Sequence, residues 1–295
     1  MSIQPLSITP RLRQQLAEWL QEDLGRGDLS APALQGVEGE AHWVAKAPGV
    51  FCGGVLIEPL LRELANGQQH WSIEGLVSEG VRIEVGDVLL KLHGPASLLV
   101  VLERTALNLA MRLSGIATAT AALVAQLEGT GVALADTRKT TPGLRRLEKY
   151  AVRCGGGINH RMGLDDAAML KENHLAWAGG VETAIAAVRA DAPWPTRVIV
   201  EAETAEEAQA ALAAGADALL LDEFSPDALT KLVPVLRAQA ELRPARTSVV
   251  LEASGVNPAD LNLYAATGVD LISTSAPMTR SSWLDLSMRF SPARG

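Results

Sequence analysis

The chain has 295 residues, 48% of them hydrophobic and 20% charged, with a formal net charge of −8. That balance belongs to a globular protein with a sizeable core in one large or two ordinary domains. It excludes a general affinity for DNA or RNA, which shows as a basic domain. Met1-Ser2-Ile3-Gln4-Pro5 opens no basic and then apolar stretch, so no secretory signal is expected and the cytoplasm is the expected compartment. Cys52 and Cys154 form no CxxC pair and read as inert thiols in reducing surroundings.

Thr9-Pro10 reads as an N-cap with proline at the first helical position. Leu12, Leu16, Trp19, Leu20 and Leu24 then recur at helical spacing, and Gly25 stops the helix. Short strands are expected over 41–46, 71–74 and 88–92, with a helix over 55–65. Residues 98–127 form a long helical pattern, with a break or bend expected near Gly115. Glu103, Arg104, Asn108, Arg112 and Ser114 interrupt it, so it is not read as a membrane span of about 20 apolar residues.

From Val132 the texture changes. Apolar runs at 132–135, 168–170, 198–200, 218–221, 249–251 and 271–272 alternate with helical patterns at 181–189, 205–214, 226–238 and 258–267. This βα repetition predicts a parallel sheet or barrel. Nearly every run ends in a charged or hydroxyl residue: Asp136 with Arg138 and Lys139, then Lys171, Glu201, Asp222, Glu252 with Ser254, and Ser273 with Thr274. Barrels and doubly wound sheets both bind ligands at strand C-termini, so the pattern locates a site without deciding between the folds.

Residues 138–171 hold eight Lys and Arg against three Asp and Glu, a cationic island in an acidic chain. Arg138, Lys139, Arg161 and Lys171, with His160, suit a small polyanion: guanidinium forks bind carboxylates and phosphates bidentately, and Lys acts as a point charge. Arg145, Arg146, Lys149 and Arg153 share one helix and read as a solvated face. Glu201 and Asp222 end successive strands; they suit Mg²⁺, an oxygen-binding cation, or a salt-bridge network with Lys139 or Lys171. Glu172 and Glu203, one or two positions from such residues, are expected to point away. His174 is placed near Lys171 as a supporting group. Ser254-Gly255 and Thr274-Ser275-Ala276 are hydroxyl-rich junctions able to offer N–H groups to a phosphate.

Several stretches together resemble the quinolinate phosphoribosyltransferase family along nearly the whole chain. They are Glu22-Asp23-Leu24-Gly25-Arg26-Gly27-Asp28-Leu29-Ser30, Glu103-Arg104-Thr105-Ala106-Leu107-Asn108 and Ser114-Gly115-Ile116-Ala117-Thr118. The most specific block runs from Asp136-Thr137-Arg138-Lys139-Thr140-Thr141-Pro142-Gly143 through Gly155-Gly156-Gly157-Ile158-Asn159-His160-Arg161 to Leu170-Lys171-Glu172-Asn173-His174.

The resemblance implies an α/β fold: an N-terminal α/β sandwich at 1–113, joined by the tail 278–295, and an incomplete TIM-like α/β barrel at 114–277 carrying the active site. It implies transfer of phosphoribosyl from phosphoribosyl pyrophosphate to quinolinate with decarboxylation, a step of NAD biosynthesis. Arg138, His160, Arg161 and Lys171, helped by Thr137, would hold the two carboxylates of quinolinate. Lys139 would lie between the substrates. Glu201 and Asp222 would face the ribose hydroxyls and Mg²⁺, directly or through water. Ser254, Gly255 and Thr274-Ser275-Ala276 would hold the 5′-phosphate. A homodimer or larger assembly with shared sites is implied, Arg104 reaching the partner subunit's barrel, with no nucleic-acid or membrane partner.

Two departures fall on the inferred phosphate grip. Ser254-Gly255-Val256 stands where the family usually has Ser-Gly-Gly, and Thr274-Ser275-Ala276-Pro277-Met278-Thr279 where it usually has Val-Gly-Ala-Leu-Thr-His. The competing reading is a non-catalytic or differently specific relative that binds a small polyanion on the same fold.

Overall fold

The computed structural model describes residues 3–66, 70–243 and 248–292. The chain divides into two compact units. Unit 1 comprises Met1–Ala121, Leu147–Gly156 and Arg280–Gly295, and unit 2 comprises Ala122–Arg146 and Gly157–Thr279.

The first elements are α1 (Pro10–Leu24), β1 (Glu38–Ala45), β2 (Gly49–Val50), α2 (Ile57–Leu64), β3 (Ser72–Glu74), β4 (Arg82–Ile83), β5 (Val88–Pro95) and α3 (Ala96–Gln126). Next come β6 (Ala133–Ala135), α4 (Arg145–Cys154), β7 (Ala168–Leu170), α5 (Glu172–Ala178), α6 (Val181–Asp191), β8 (Val198–Ala202), α7 (Ala205–Ala213) and β9 (Ala218–Asp222). The chain ends with α8 (Pro226–Glu241), β10 (Val250–Ser254), α9 (Leu261–Ala265), β11 (Leu271–Ser273), α10 (Ala276–Arg280) and β12 (Leu286–Pro292).

In unit 1, α1 starts as its sequence dictates. The Thr9 side chain accepts from Leu12 N–H, Pro10 needs no N–H partner, and Gly25 ends the helix at φ 55°. Leu12, Leu16 and Leu20 form its buried stripe. The sheet has the order β12-β1-β5-β3, with antiparallel pairing throughout. Alternation along β1 buries Ala41, Trp43 and Ala45, and Trp43 Nε1 donates to Met288 Sδ of β12 at 3.1 Å. The tail therefore belongs to the N-terminal sheet; its last positions, 293–295, lie outside the described residues.

Three features differ from the sequence expectation. First, α3 is unbroken through Gly115. A Cβ there would stand 2.0 Å from the Ser282 carbonyl oxygen, so this glycine admits a neighbouring strand of chain instead of bending the helix. By length and composition α3 could cross a membrane, yet Leu99, Leu102, Ala106, Ala110, Leu113 and Ile116 are buried as core. Second, the division between units falls after Ala121, beyond 113, and takes Leu147–Gly156 into unit 1. Third, α4 is not a solvated face: Lys149 is fully buried and so is Glu148, whose Oε1 meets Arg112 Nη2 at 2.8 Å. Of its cations, Arg146 is exposed.

Unit 2 is a six-stranded parallel sheet with the order β6-β11-β10-β9-β8-β7. Consecutive strands β7 to β11 are neighbours and β6 pairs with β11, so the barrel stays open between β6 and β7. An isolated bridge from Ile158 to Ala135 extends the β6 side of that opening. Alternation divides each strand into two layers. Val198, Val200, Leu219, Leu221, Leu251 and Ala253 pack outward against the helices, with Ala208, Leu212, Leu229 and Leu232. Ile199, Ala218 and Leu220 pack inward with Met169 and Val250. Gly215-Ala216-Asp217 and Gly268-Val269-Asp270 repeat one device: Asp217 Oδ2 accepts from Val198 N–H at 2.7 Å, and Asp270 Oδ2 from Leu251 N–H at 2.8 Å. Arg189 and Arg237 pair with these two carboxylates.

Candidate active site

Inward parity carries directly into the site. Beyond Met169, Ile199, Leu220 and Val250, the next inward positions on the same strands are Lys171, Glu201, Asp222 and Glu252, and Ser254 follows Glu252. The C-terminal mouth of the barrel thus gathers a cation, three carboxylates and a hydroxyl.

Loops that leave β6 and the Ile158 bridge bring the other cations. Asp136, 1% exposed, clamps the two: Asn159 Nδ2 donates to its Oδ2 at 2.6 Å, and His160 N–H to its Oδ1 at 2.8 Å. Sequence reading noted Asp136 only as a charge at a strand end. Arg145 ties the same loops, donating from Nε to Thr140 Oγ1 at 3.1 Å, from Nη2 to the Arg138 carbonyl at 3.4 Å and from Nη1 to the Met162 carbonyl at 3.2 Å. It is a brace and not a solvated charge. Thr137 Oγ1 accepts from Lys139 N–H at 3.0 Å, which turns the chain so that Lys139 is exposed.

Arg161 is nearly buried and anchored through Nη1 to the Ala167 carbonyl at 2.8 Å. Burial, and then the charge of Arg138, hold its guanidinium pKa below the ordinary value, with Asp166 acting the other way. Two guanidinium charges that repel one another in a partly desolvated place are relieved by an anion between them.

His160 has both ring nitrogens engaged. Nδ1 accepts from Arg161 N–H at 2.7 Å, so the proton sits on Nε2, which faces Glu252 Oε2 at 3.2 Å. Glu252 is 2% exposed, and its Oε1 is buried with no hydrogen-bond partner. This pair escaped sequence reading because its members stand far apart in the chain. The parity that Glu252 shares with Ser254 was the available signal.

Lys171 is exposed at the end of β7, and its Nζ forms an ion pair with Glu201 Oε2. His174 Nδ1 accepts from Lys171 N–H at 3.1 Å, which fixes the start of α5. Carboxylate oxygens of Glu201, Glu203 and Asp222 lie within 4.8 Å of one another. Glu203 therefore joins the cluster it was expected to avoid. β8 ends at Ala202, so strand alternation no longer governs the next residue. Desolvation, then the charges of Glu172, Asp222, Glu207 and Glu201, raise its carboxyl pKa above the ordinary value. All three donors are hard oxygens, which fits Mg²⁺.

At the β10 junction, Gly255 has φ 71°, and a Cβ there would lie 3.0 Å from Glu223 N and 3.3 Å from Asp222 Oδ1. Glycine is needed for conformation and for room. Val256, one of the departures from the family pattern, is buried in the outer core, leaving the turn itself to Gly255. At the β11 junction, Thr274 N–H donates to the Ala135 carbonyl at 3.0 Å and Thr274 Oγ1 accepts from Ala276 N–H at 3.2 Å. The Ser275 carbonyl accepts from Met278 and Thr279 N–H. Arg104 is exposed on α3 in unit 1, with Nη2 4.0 Å from Glu103 Oε1.

A parallel barrel with clustered cations on one side of its mouth and clustered carboxylates on the other defines an α/β-barrel enzyme of strongly anionic substrates. Residues 28–114 match the quinolinate phosphoribosyl transferase N-terminal domain and residues 116–289 its C-terminal domain. A Synechocystis protein described as a probable nicotinate-nucleotide pyrophosphorylase [carboxylating] is 43% identical over 277 residues, 93% of this chain and 90% of that protein. The nicotinate-nucleotide pyrophosphorylase [carboxylating] of Mycobacterium leprae is 39% identical over 271 residues, covering 90% of this chain and 92% of its own length. The crystal structure of NadC from Streptococcus pyogenes superposes with a TM-score of 0.89 at 33% identity, covering 98% of this chain and all of that one. The chain belongs to the quinolinate phosphoribosyltransferase family. It is accordingly an enzyme, a pentosyltransferase of NAD biosynthesis.

Proposed function

We propose that the barrel mouth joins two polyanions, each held by a different wall. The chain transfers the phosphoribosyl group of phosphoribosyl pyrophosphate to the nitrogen of quinolinate, with decarboxylation, giving nicotinate mononucleotide, pyrophosphate and CO₂. The observation that carries the division of labour is the placement of Arg138, Arg161 and Lys171 along the borders of the gap and of the Glu201, Glu203 and Asp222 carboxylates together beyond β8 and β9.

Arg138, His160, Arg161 and Lys171, with Thr137, bind the two carboxylates and aim the pyridine nitrogen, a proximity effect. Exposed Lys139 stands at the boundary with the second substrate. Glu201 and Asp222, with Glu203, face the ribose hydroxyls and would hold Mg²⁺, directly or through water. When bound, that ion neutralises charge on the pyrophosphate. Ser254, Gly255 and the Thr274-Ser275-Ala276 turn take the 5′-phosphate. Ala276 N–H already serves Thr274, so the Ser254-Gly255 side carries more of that grip. As the nitrogen attacks C1 and pyrophosphate leaves, the ring becomes cationic. The adjacent carboxylate then departs as CO₂, its bonding electrons remaining at C2 beside the positive nitrogen until a proton arrives. The Lys171–Glu201 pair links the two walls, so substrate entry must divide an existing ion pair. The reading includes a homodimer, Arg104 entering the partner's barrel, and a cytoplasmic location.

Incubation with quinolinate, phosphoribosyl pyrophosphate and Mg²⁺ should release CO₂ and nicotinate mononucleotide in equal amounts, while nicotinate in place of quinolinate gives no product. Turnover of nicotinate, or product without CO₂, overturns the reading. Glu201→Gln combined with Asp222→Asn should abolish Mg²⁺-dependent turnover in a folded chain; a near-wild-type rate removes the metal and ribose assignment.

A further inference from the structure

Unit 1 gathers three ligating side chains that the proposed reaction does not use. Cys52 follows β2, Glu79 precedes β4, and Cys154 ends α4. One donor atom of each, two sulfurs and a carboxylate oxygen, lie within 4.8 Å of one another, and Cys154 Sγ is 3.9 Å from Glu79 Oε2. Both thiols are buried and free, while Glu79 is half-buried.

Glu79 is held in place. Gly53 N–H donates to its Oε2 and Val55 N–H to its Oε1, each at 2.9 Å. Two cysteines that serve only as small hydrophobes need no anion beside them. Two soft sulfurs with one carboxylate oxygen make instead a donor set suited to a borderline-soft divalent ion. Tetrahedral zinc, about 2.3 Å from sulfur and about 2.0–2.2 Å from oxygen, separates its ligand atoms by roughly 3.5–3.8 Å. The Cys154–Glu79 edge is already close to that length.

We propose that Cys52, Glu79 and Cys154 form a binding site for a thiophilic divalent cation, with zinc as occupant. The fourth position falls to water or to the phenol of Tyr150, buried on the same helix as Cys154. The Gly53 and Val55 amides orient the carboxylate from outside the coordination sphere. Binding releases one proton from each thiol to solvent and forms two metal–thiolate bonds and one metal–carboxylate bond, with no change of oxidation state. The ion ties together the segments before α2 and before β4 and the end of α4, so its binding stabilises unit 1.

The test uses the full chain, reduced and stripped of metal by a chelator, titrated with Co²⁺ and then Zn²⁺. The expected result is about one Co²⁺ per chain, a near-ultraviolet thiolate-to-cobalt band that Zn²⁺ bleaches, and a higher Tm. Cys52→Ala with Cys154→Ala conserves the small apolar character of the site, and so should keep the fold while losing the band and the Tm response. Glu79→Gln should weaken cobalt binding about tenfold. The Glu201, Glu203 and Asp222 cluster has no sulfur, so an ion there gives no such band. No band at saturating Co²⁺ with both thiols titratable overturns the proposal. So does a band that persists in the double variant, or a Cys52–Cys154 disulfide in chain isolated without reductant.

Discussion

Arg138 and Lys171 are the residues for which a single side chain has the largest expected effect on substrate. In the proposed arrangement each would supply a full charge to a dicarboxylate, one as a fork and one as a point. Arg138→Ala or Lys171→Ala should weaken quinolinate binding at least tenfold, about 1.4 kcal/mol, in titration calorimetry; unchanged affinity removes the residue from the cage. Glu252 acts through another residue. It holds the Nε2 side of His160 while Arg161 N–H holds the other nitrogen, so the ring cannot turn. Glu252→Gln keeps the size and removes the charge, and should weaken quinolinate binding by about tenfold, again about 1.4 kcal/mol, with little change in Tm. Wild-type affinity would mean that His160 is positioned without it. The positions of Arg138 and Lys171 beyond β6 and β7 were legible because each follows a predicted apolar run. The His160–Glu252 pair was not, because it depends on which way the loop after Ile158 folds across β10.

Elements were legible wherever local chemistry and tertiary environment agree. Thr9-Pro10 and Gly25 bound α1 as read, and the six apolar runs after Val132 all became parallel strands. Gly115 shows the opposite case. Within a helical pattern a glycine suggests a break, but here its lack of a side chain admits the Ser282 carbonyl. The sequence alone holds no sign of that distant segment. Gly115→Ala should therefore lower stability by about 1–3 kcal/mol through overpacking and should loosen the tail, despite alanine's better helix propensity. Denaturant melts would read the first effect, and amide exchange at Met288 in β12 the second; a stabilised variant would refute the contact. Lys149 failed for a related reason, since a helix with charges on several sides does not declare which side the protein covers.

At the scale of the whole molecule, the resemblance over nearly all of the chain made the two-part architecture readable before any coordinates. The placement of α4 was not readable, since its residues leave the barrel's sequence range and return to unit 1. Assembly is the property that Arg104 tests. It is exposed on α3. If sites are shared between subunits, mixing Arg104→Ala chains with Lys139→Ala chains should restore one working site per heterodimer, about a quarter of wild-type activity in a random mixture. Activity no higher than that of either variant alone would show that each site is built from one chain.

The unclosed barrel has an electrical consequence. Arg138 and Lys139 follow β6, His160 and Arg161 follow the Ile158 bridge beside it, and Lys171 ends β7, so all five border the gap, whereas Glu201, Asp222 and Glu252 rise from the continuous ladder β8-β9-β10. The mouth is thus polarised from seam to wall. The positive pole sits at the borders of the gap, where the Ile158 bridge alone extends the ladder, and the negative pole on a lattice bonded on both sides. A ligand of high negative charge closes the ring electrostatically where the backbone leaves it open.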